Sequence, residues 1–128
     1  MIRAITHGIN LVRHAFRDVG VSAKRSSHWP TVEKHFREGH STCAACGSKK
    51  RLNVHHIRPF HMFPELELDP TNLITLCMST TECHFRLGHL SNWHAYNGNI
   101  REDAAEVLAH PSKYDAIVKK ALANRLVN

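Results

Sequence analysis

The chain lacks any long run of apolar residues. Its 128 residues are 42% apolar, but no stretch approaches the roughly 20 consecutive apolar residues that a membrane helix needs. The N-terminal segment is also a poor export signal, because it has no small-residue cleavage site and its apolar stretch is interrupted by Arg3, Arg13 and Arg17. We therefore expect a cytoplasmic protein that folds as one compact unit and does not enter a membrane.

Acidic residues are scarce in the first half of the chain. Residues 1–60 contain eleven Lys/Arg and only three Asp/Glu, whereas residues 61–128 contain six and eight. A basic half indicates a polyanionic partner, with nucleic acid as the first candidate. An inert basic surface fits the charge equally well, so the charge alone does not assign a function.

Cysteine is limited to four residues, Cys43, Cys46, Cys77 and Cys83. Without an export signal, and with one pair spaced Cys-x-x-Cys among twelve histidines, a metal site is the better account than disulfides. A closed set of four thiolates is typical of structural zinc. The five residues between Cys77 and Cys83 exceed the usual gap of two to four.

The longer helical patterns lie at the two ends of the chain. Apolar residues at spacings of three and four predict an amphipathic helix over residues 2–19. Pro30 fits the first turn of a second helix over residues 31–38, which Gly39 ends. Three side chains of this second helix are expected to face inward: Val32, His35 and Phe36.

The tail predicts two further helices, at about 100–109 and 112–126, separated by Pro111. Trp93 and Tyr96 are expected to pack this tail against the core rather than to stack on bases. The chain then divides into three parts: an N-terminal helical extension (1–39), a core (40–92) and a C-terminal helical extension (93–128).

Two short strands are predicted in the core, over residues 52–57 and 72–76. On a strand, adjacent side chains point to opposite faces, so His55 and His56 cannot easily do the same job. One of them is expected to bind metal while the other contacts a water molecule. Helical character is also expected from Cys83 to Leu90. At the start of this helix Cys83 and His84 differ by about 100°, so that Cys83 can reach the other thiols while His84 turns towards His55.

The order of these residues resembles the HNH endonuclease family. The resemblance covers residues 43–89 and is carried by three stretches: Cys43-x-x-Cys46, then Val54-His55-His56-Ile57-Arg58-Pro59, then Asn72-Leu73-Ile74-Thr75-Leu76-Cys77 with Cys83-His84. It implies an α+β fold, in which a small ββα-metal core with a structural Cys₄ zinc is flanked by N- and C-terminal helices.

The resemblance also implies roles for individual residues. His56 matches the general base that deprotonates water, and Asn72 matches the residue that holds the loop and orients His56 through hydrogen bonds. His55 and His84 match metal ligands, and His89 is a candidate third ligand. His84 and His89 are five residues apart, about 140° on an ideal helix, so His89 can join them only if Gly88 ends the helix and the chain swings back.

The implied activity is metal-dependent hydrolysis of DNA that leaves 5′-phosphate and 3′-hydroxyl ends. A divalent ion on imidazoles neutralises charge on the phosphate and stabilises the leaving oxygen, and a histidine suits the proton transfer. Mg²⁺ or Mn²⁺ is the expected catalytic ion, although imidazoles also accept Ni²⁺ or Zn²⁺. Four cationic residues flank the expected site and are candidate DNA contacts: Lys49, Lys50, Arg51 and Arg58.

Two other functions fit part of the pattern. Cys43, Cys46, His56 and His61 can be read as a loose Cys₂His₂ finger, which would make a zinc-stabilised DNA-binding module without catalysis; this interpretation leaves Cys77 and the residues after it unexplained. A zinc deaminase is excluded, because the chain contains no His-x-Glu element. No recognition helix is evident, so specificity would be weak or would depend on a protein partner such as a phage packaging protein.

Overall fold

The computed structural model describes residues 24–127. In chain order its main elements are α1 (Trp29–Gly39), β1 (Leu52–His56), β2 (Leu73–Cys77), a π-helical turn (His84–Gly88), α2 (Ile100–Ala109) and α3 (Tyr114–Val127). The helix predicted over residues 2–19 lies outside the described residues. Within residues 24–127, no helix is both long and apolar enough to cross a membrane.

Helix α1 is a peripheral helix. Pro30 lies in its first turn, as predicted, because the missing N–H of proline costs nothing at that position. Val32 and Phe36 are half-buried on one face, but His35 is exposed. The expectation that His35 faces inward is therefore wrong, and the buried stripe is narrower than the sequence suggested.

The core of the fold is a two-stranded antiparallel ribbon. β1 and β2 pair with Leu52 opposite Cys77, His55 opposite Ile74 and His56 opposite Leu73. Both strands lie within one residue of their predicted bounds. Every residue of β2 is buried, whereas His55 is the only buried residue of β1. β2 therefore lies inside the molecule, and β1 forms the outer edge of the ribbon.

The two C-terminal helices cover the inner side of β2. α2 matches its prediction over residues 100–109, and a 3₁₀ turn at Pro111–Lys113 separates it from α3. The buried cluster that joins these helices to the ribbon and to the π-helical turn contains Ile74, Leu76, Leu87, Ile100, Ala104, Val107 and Ile117. The Tyr114 hydroxyl also donates to the Thr81 carbonyl at 2.9 Å. The tail thus holds the segment that leads into the π-helical turn.

A tight knuckle precedes β1. The Gly47 amide donates to the Cys43 carbonyl at 2.9 Å, and the Cys43 amide donates to the Ser48 carbonyl at 2.8 Å. Gly47 has a φ of +78°, which a residue with a Cβ adopts only at a cost. Gly47 thus allows the sharp turn of the knuckle.

Replacing Gly47 with alanine should lower the free energy of unfolding by about 1–2 kcal/mol, the cost of a left-handed conformation for a residue with a Cβ. Denaturant unfolding of the zinc-loaded protein measures the change. The matched control is Gly39→Ala, because a Cβ at Gly39 meets no atom within 4 Å. Equal stability of the two variants would contradict the role given to Gly47.

Candidate metal centres and active site

Four thiols converge beside the end of the ribbon. Cys43 and Cys46 come from the knuckle, Cys77 ends β2, and Cys83 immediately precedes the π-helical turn. Their sulfur atoms all lie within 4.8 Å of one another, and Cys46 Sγ lies 3.5 Å from Cys77 Sγ. A tetrahedral zinc with bonds of about 2.3 Å separates its sulfurs by roughly 3.8 Å. The described cysteines are all free, so the four can hold a structural metal such as zinc, as predicted.

The thiols cannot all ionise without a cation. A hydrogen bond from Cys83 lowers the pKa of Cys43 to about 4, although burial opposes the shift. The same hydrogen bond, together with burial, raises the pKa of Cys83 far above its ordinary value. A charge on one buried sulfur therefore suppresses a charge on its neighbour. A divalent ion would remove this conflict, because it stabilises every thiolate that it contacts.

Three histidines form a second cluster. His55, His84 and His89 offer ring nitrogens within 4.8 Å of one another, and their ring centroids are 4.8–5.0 Å apart. His55 is only 2% exposed, and its buried Nε2 has no hydrogen-bond partner among the described residues. A buried nitrogen without a partner is costly. Its position between two other imidazoles fits a metal ligand.

The π-helical turn explains how His89 joins the cluster. Its amide donates to the His84 carbonyl at 3.0 Å, which is the five-residue step of a π-helix. The extra residue in the turn brings positions 84 and 89 to the same side. Gly88 suits this close approach, since an added Cβ would lie 3.1 Å from Leu76 Cδ1 and 3.2 Å from His55 Cε1, closer than ordinary contact. The turn ends at Gly88, as expected, and its wide winding is what brings His89 back to His84.

Hydrogen bonds fix which nitrogen each histidine can offer. His84 Nδ1 lies 3.1 Å from Asn53 Oδ1, and His89 Nδ1 lies 2.8 Å from the Ala95 carbonyl. Both oxygens accept, so Nδ1 carries the proton and Nε2 keeps its lone pair for a metal. Sequence reasoning missed Asn53. Asn53 could have been found from the strand pattern, because it lies two residues before His55 and therefore on the same face of β1.

The clustered imidazoles are neutral at physiological pH. Burial lowers the pKa of His55 well below its ordinary value, and the neighbouring His84 and His89 lower it further. Burial likewise lowers the pKa of His84 to about 4 and lowers that of His89, although the hydrogen bond to Ala95 opposes the latter shift. Neutral imidazole is the form that binds a metal, so all three side chains are already in the metal-binding form.

His56 points away from the cluster, as strand alternation predicts. Its Nε2 lies 2.9 Å from the Glu67 carbonyl and therefore carries the proton, which leaves Nδ1 as a free base. The Trp29 ring packs against the imidazole with the centroids 4.4 Å apart. Burial lowers the pKa of His56, although its hydrogen bond to Glu67 raises it. His56 is thus neutral and held in one orientation.

Asn72 clamps the loop between the strands. Its Oδ1 accepts from the Arg58 amide at 2.9 Å, and its Nδ2 donates to the carbonyls of Arg58 at 3.1 Å and Leu66 at 3.2 Å. The prediction that Asn72 holds the loop is in accord with these bonds. Asn72 is also expected to orient His56 through hydrogen bonds; the His56 ring itself bonds to the Glu67 carbonyl. Asn72 bonds to the carbonyl of Leu66, the residue before Glu67, so its link to His56 runs through the loop backbone.

The histidines open into one cavity of about 370 Å³. None of the four predicted DNA contacts lines it. Lys49, Lys50 and Arg51 precede β1 at the cysteine end of the ribbon, and Arg58 lines a separate cavity. The cationic side chain at the histidine cavity is Arg25, outside the motif. The lining residues are Arg25, Trp29, Val54, His55, His56, Pro59, Phe60, His61, His84 and His89.

Trp93 lies over the histidine cluster. Its side chain is 52% exposed, and its ring centroid lies 5.4 Å from that of His84 and 4.9 Å from that of His89. The left-handed φ angles of Leu90 and Ser91, 53° and 60°, accompany the change of chain direction after the π-helical turn. Trp93 therefore packs the start of the tail against rings of the core, including Phe85 at 4.8 Å, as expected, although half of its side chain stays exposed.

Residues 43–89 match the family model described as HNH endonuclease. This segment is an HNH domain. The match spans the knuckle, both strands and the π-helical turn, and it ends at His89, so every residue of the two clusters falls inside it. No curated protein and no solved structure matched the chain. Members of the family are generally nucleases, and HNH nucleases act on DNA.

Purified protein should contain one tightly held Zn²⁺ on the cysteines, and stripping it should abolish cooperative unfolding. The reason is that structural zinc contributes on the order of 10 kcal/mol of binding free energy to folding. Metal analysis with thermal unfolding measures both effects. Cys83→Ser should behave like stripped protein, whereas His84→Gln should keep its zinc. Two native disulfides would contradict the assignment.

The affinity of the histidine cluster for Ni²⁺ should change by less than about threefold between pH 7.5 and pH 6, because protons compete with a metal only near and below the pKa of the ligand. Ordinary histidines, with a pKa of about 6.5, would lose affinity across that interval. The lowered pKa values keep the imidazoles neutral as the pH falls. Calorimetric titration of the zinc-loaded protein tests this, with His84→Gln as the control that removes one ligand. A steep loss of affinity between these pH values would contradict the expectation.

Proposed function

We propose that the protein is a metal-dependent DNA endonuclease that hydrolyses phosphodiester bonds. His56 is the general base, and His55, His84 and His89 hold one divalent ion, Mg²⁺ or Mn²⁺. The observation that carries the proposal is the different environment of two adjacent residues, His55 and His56. His55 clusters with two other neutral imidazoles, while His56, whose Nδ1 is left as the base, lines the same cavity.

The proton transfer follows from the hydrogen bonds of His56. Nε2–H donates to the Glu67 carbonyl at 2.9 Å, so Nδ1 is the atom that takes a proton from water. The carbonyl then stabilises the imidazolium that forms, because it accepts from the opposite side of the ring. Trp29 against the ring restricts rotation, which keeps Nδ1 aimed at one place.

The bound ion has a separate role from the base. When present, a divalent ion neutralises charge on the phosphate and stabilises the leaving 3′-oxygen. Asn53 and the Ala95 carbonyl orient two of its ligands through Nδ1. Neutral ligands leave the full charge of the ion available to the phosphate, in contrast to a site made of carboxylates or thiolates.

The DNA contacts at Lys49, Lys50, Arg51 and Arg58 remain part of this proposal. All four side chains are exposed, as phosphate contacts must be. The three residues before β1 lie at one end of the ribbon and Arg58 follows the other end. A duplex that touches both would therefore lie along β1, the edge that carries the two adjacent histidines.

Supercoiled plasmid incubated with the zinc-loaded protein and Mg²⁺ or Mn²⁺ should be nicked or linearised. His56→Ala should slow cleavage by roughly 10²–10⁴-fold, the contribution of a positioned general base. Quantified gel assays measure the rate. His35→Ala is the matched control, because His35 is exposed on α1 and should leave the rate unchanged.

Two results would count against the nuclease. Wild type that is inert with every divalent ion, or His56→Ala that cuts as fast as wild type, would refute it. A DNA-binding module without catalysis would instead shift DNA in both proteins and cut it in neither.

A further inference from the structure

A short segment outside the matched domain forms one wall of the histidine cavity. We call residues 25–29 the N-terminal strap. Its Ser26 amide donates to Glu67 Oε1 at 2.9 Å, and Arg25 Nε lies 2.8 Å from Glu67 Oε2. The Oε2 atom accepts no hydrogen bond, so the Arg25 contact is an ion pair. The strap therefore holds both carboxylate oxygens of one residue.

Glu67 links the strap to His56. Its side chain is 4% exposed, and a carboxylate so deeply buried requires compensation. The compensation comes from the strap, whereas the main-chain carbonyl of the same residue accepts the proton of His56 Nε2. If the strap held the Glu67 side chain differently, the Glu67 carbonyl would change position, and with it the orientation of His56.

The strap also contacts His56 directly, and aromatic rings hold its Arg25 side chain in place. The Trp29 ring packs on the imidazole with centroids 4.4 Å apart. The Arg25 guanidinium lies 5.3 Å from the Trp29 ring and 4.5 Å from the Phe60 ring, distances that suit cation–π attraction. Arg25 is therefore held by two rings and one carboxylate. It is not a free cation at the mouth of the cavity.

We propose that the N-terminal strap positions the general base. Arg25, Ser26 and Trp29 are positioning residues that act through Glu67 and through the imidazole face, and they make no contact with the reacting atoms. The inference rests on the proposed role of His56. Small displacements of a base are costly, since about 1 Å of misplacement loses roughly 10²-fold in rate.

The test compares Arg25→Ala, Glu67→Gln and the double variant in the plasmid assay. Each single variant should lower kcat by roughly tenfold, a fraction of what a positioned base contributes, and leave KM within about twofold. The double variant should be no slower than the worse single variant, because both changes break one linkage. The matched control is Glu33→Gln, which removes the half-buried Glu33–Arg37 pair on α1, away from the strap, and should leave kcat unchanged.

A readout independent of cleavage is the nitrogen NMR spectrum of His56 in zinc-loaded protein at a pH where the imidazole is neutral. Wild type should show a single Nε2–H form, whereas both single variants should show a mixture of Nε2–H and Nδ1–H forms. Trp29→Phe keeps a ring against the imidazole and should stay close to wild type. Thermal unfolding checks that each variant folds, and Glu67→Gln decides the outcome if Arg25→Ala does not.

Three results would overturn the strap's role. One is an unchanged kcat with an unchanged His56 spectrum in the variants. Another is a raised KM at constant kcat in Arg25→Ala, which would mean that Arg25 contacts DNA. The third is additive loss in the double variant. If instead wild type cuts no DNA while the NMR spectra shift as expected, the proposed function fails and the positioning of His56 stands.

Discussion

The pairing register of the two strands is the constraint on which both sites depend. Leu52 lies opposite Cys77 and His56 opposite Leu73, so one end of the ribbon presents a cysteine and the other follows directly from Asn72. A slip of one residue reverses the face of every side chain on a strand. It would move His55 out of the imidazole cluster and put His56 in its place. Burial of all five β2 residues makes such a slip costly.

The parts of the fold that follow from local patterns were predictable from the sequence. The strands, the C-terminal helices and the opposite faces of His55 and His56 follow from period and turn chemistry. The four thiols could be grouped because zinc accepts few ligand types. The exposure of His35 could not be foreseen, because it depends on how much surface α1 finds to pack against. The position of Trp93 over the histidine cluster could not be foreseen either, since it follows two left-handed residues, Leu90 and Ser91.

The remaining features of the site depend on contacts between distant parts of the chain. Glu67 is bonded to His56 across eleven residues and to Ser26 across forty-one, and no periodicity relates them. The motif therefore indicated which residues cluster in the candidate site but not what holds them in place. The two clusters also differ in charge: four thiols need a cation to ionise together, whereas three imidazoles are neutral without one. The two donor sets therefore differ in the metal ions that they suit, because thiolates select softer ions than imidazoles do.

The π-helical turn also bears on how such sites are found and how they change. A turn wound with one extra residue keeps His84 and His89 together at a spacing of five, where an α-helix would do so at four. Loss of a single residue between them would tighten the winding and leave both ligands on one side, so this segment tolerates a change in length that would destroy a site built on a strand. A search for metal sites that demands His-x₃-His spacing would pass over this chain. Allowing one further residue, with a glycine before the second histidine, would include it.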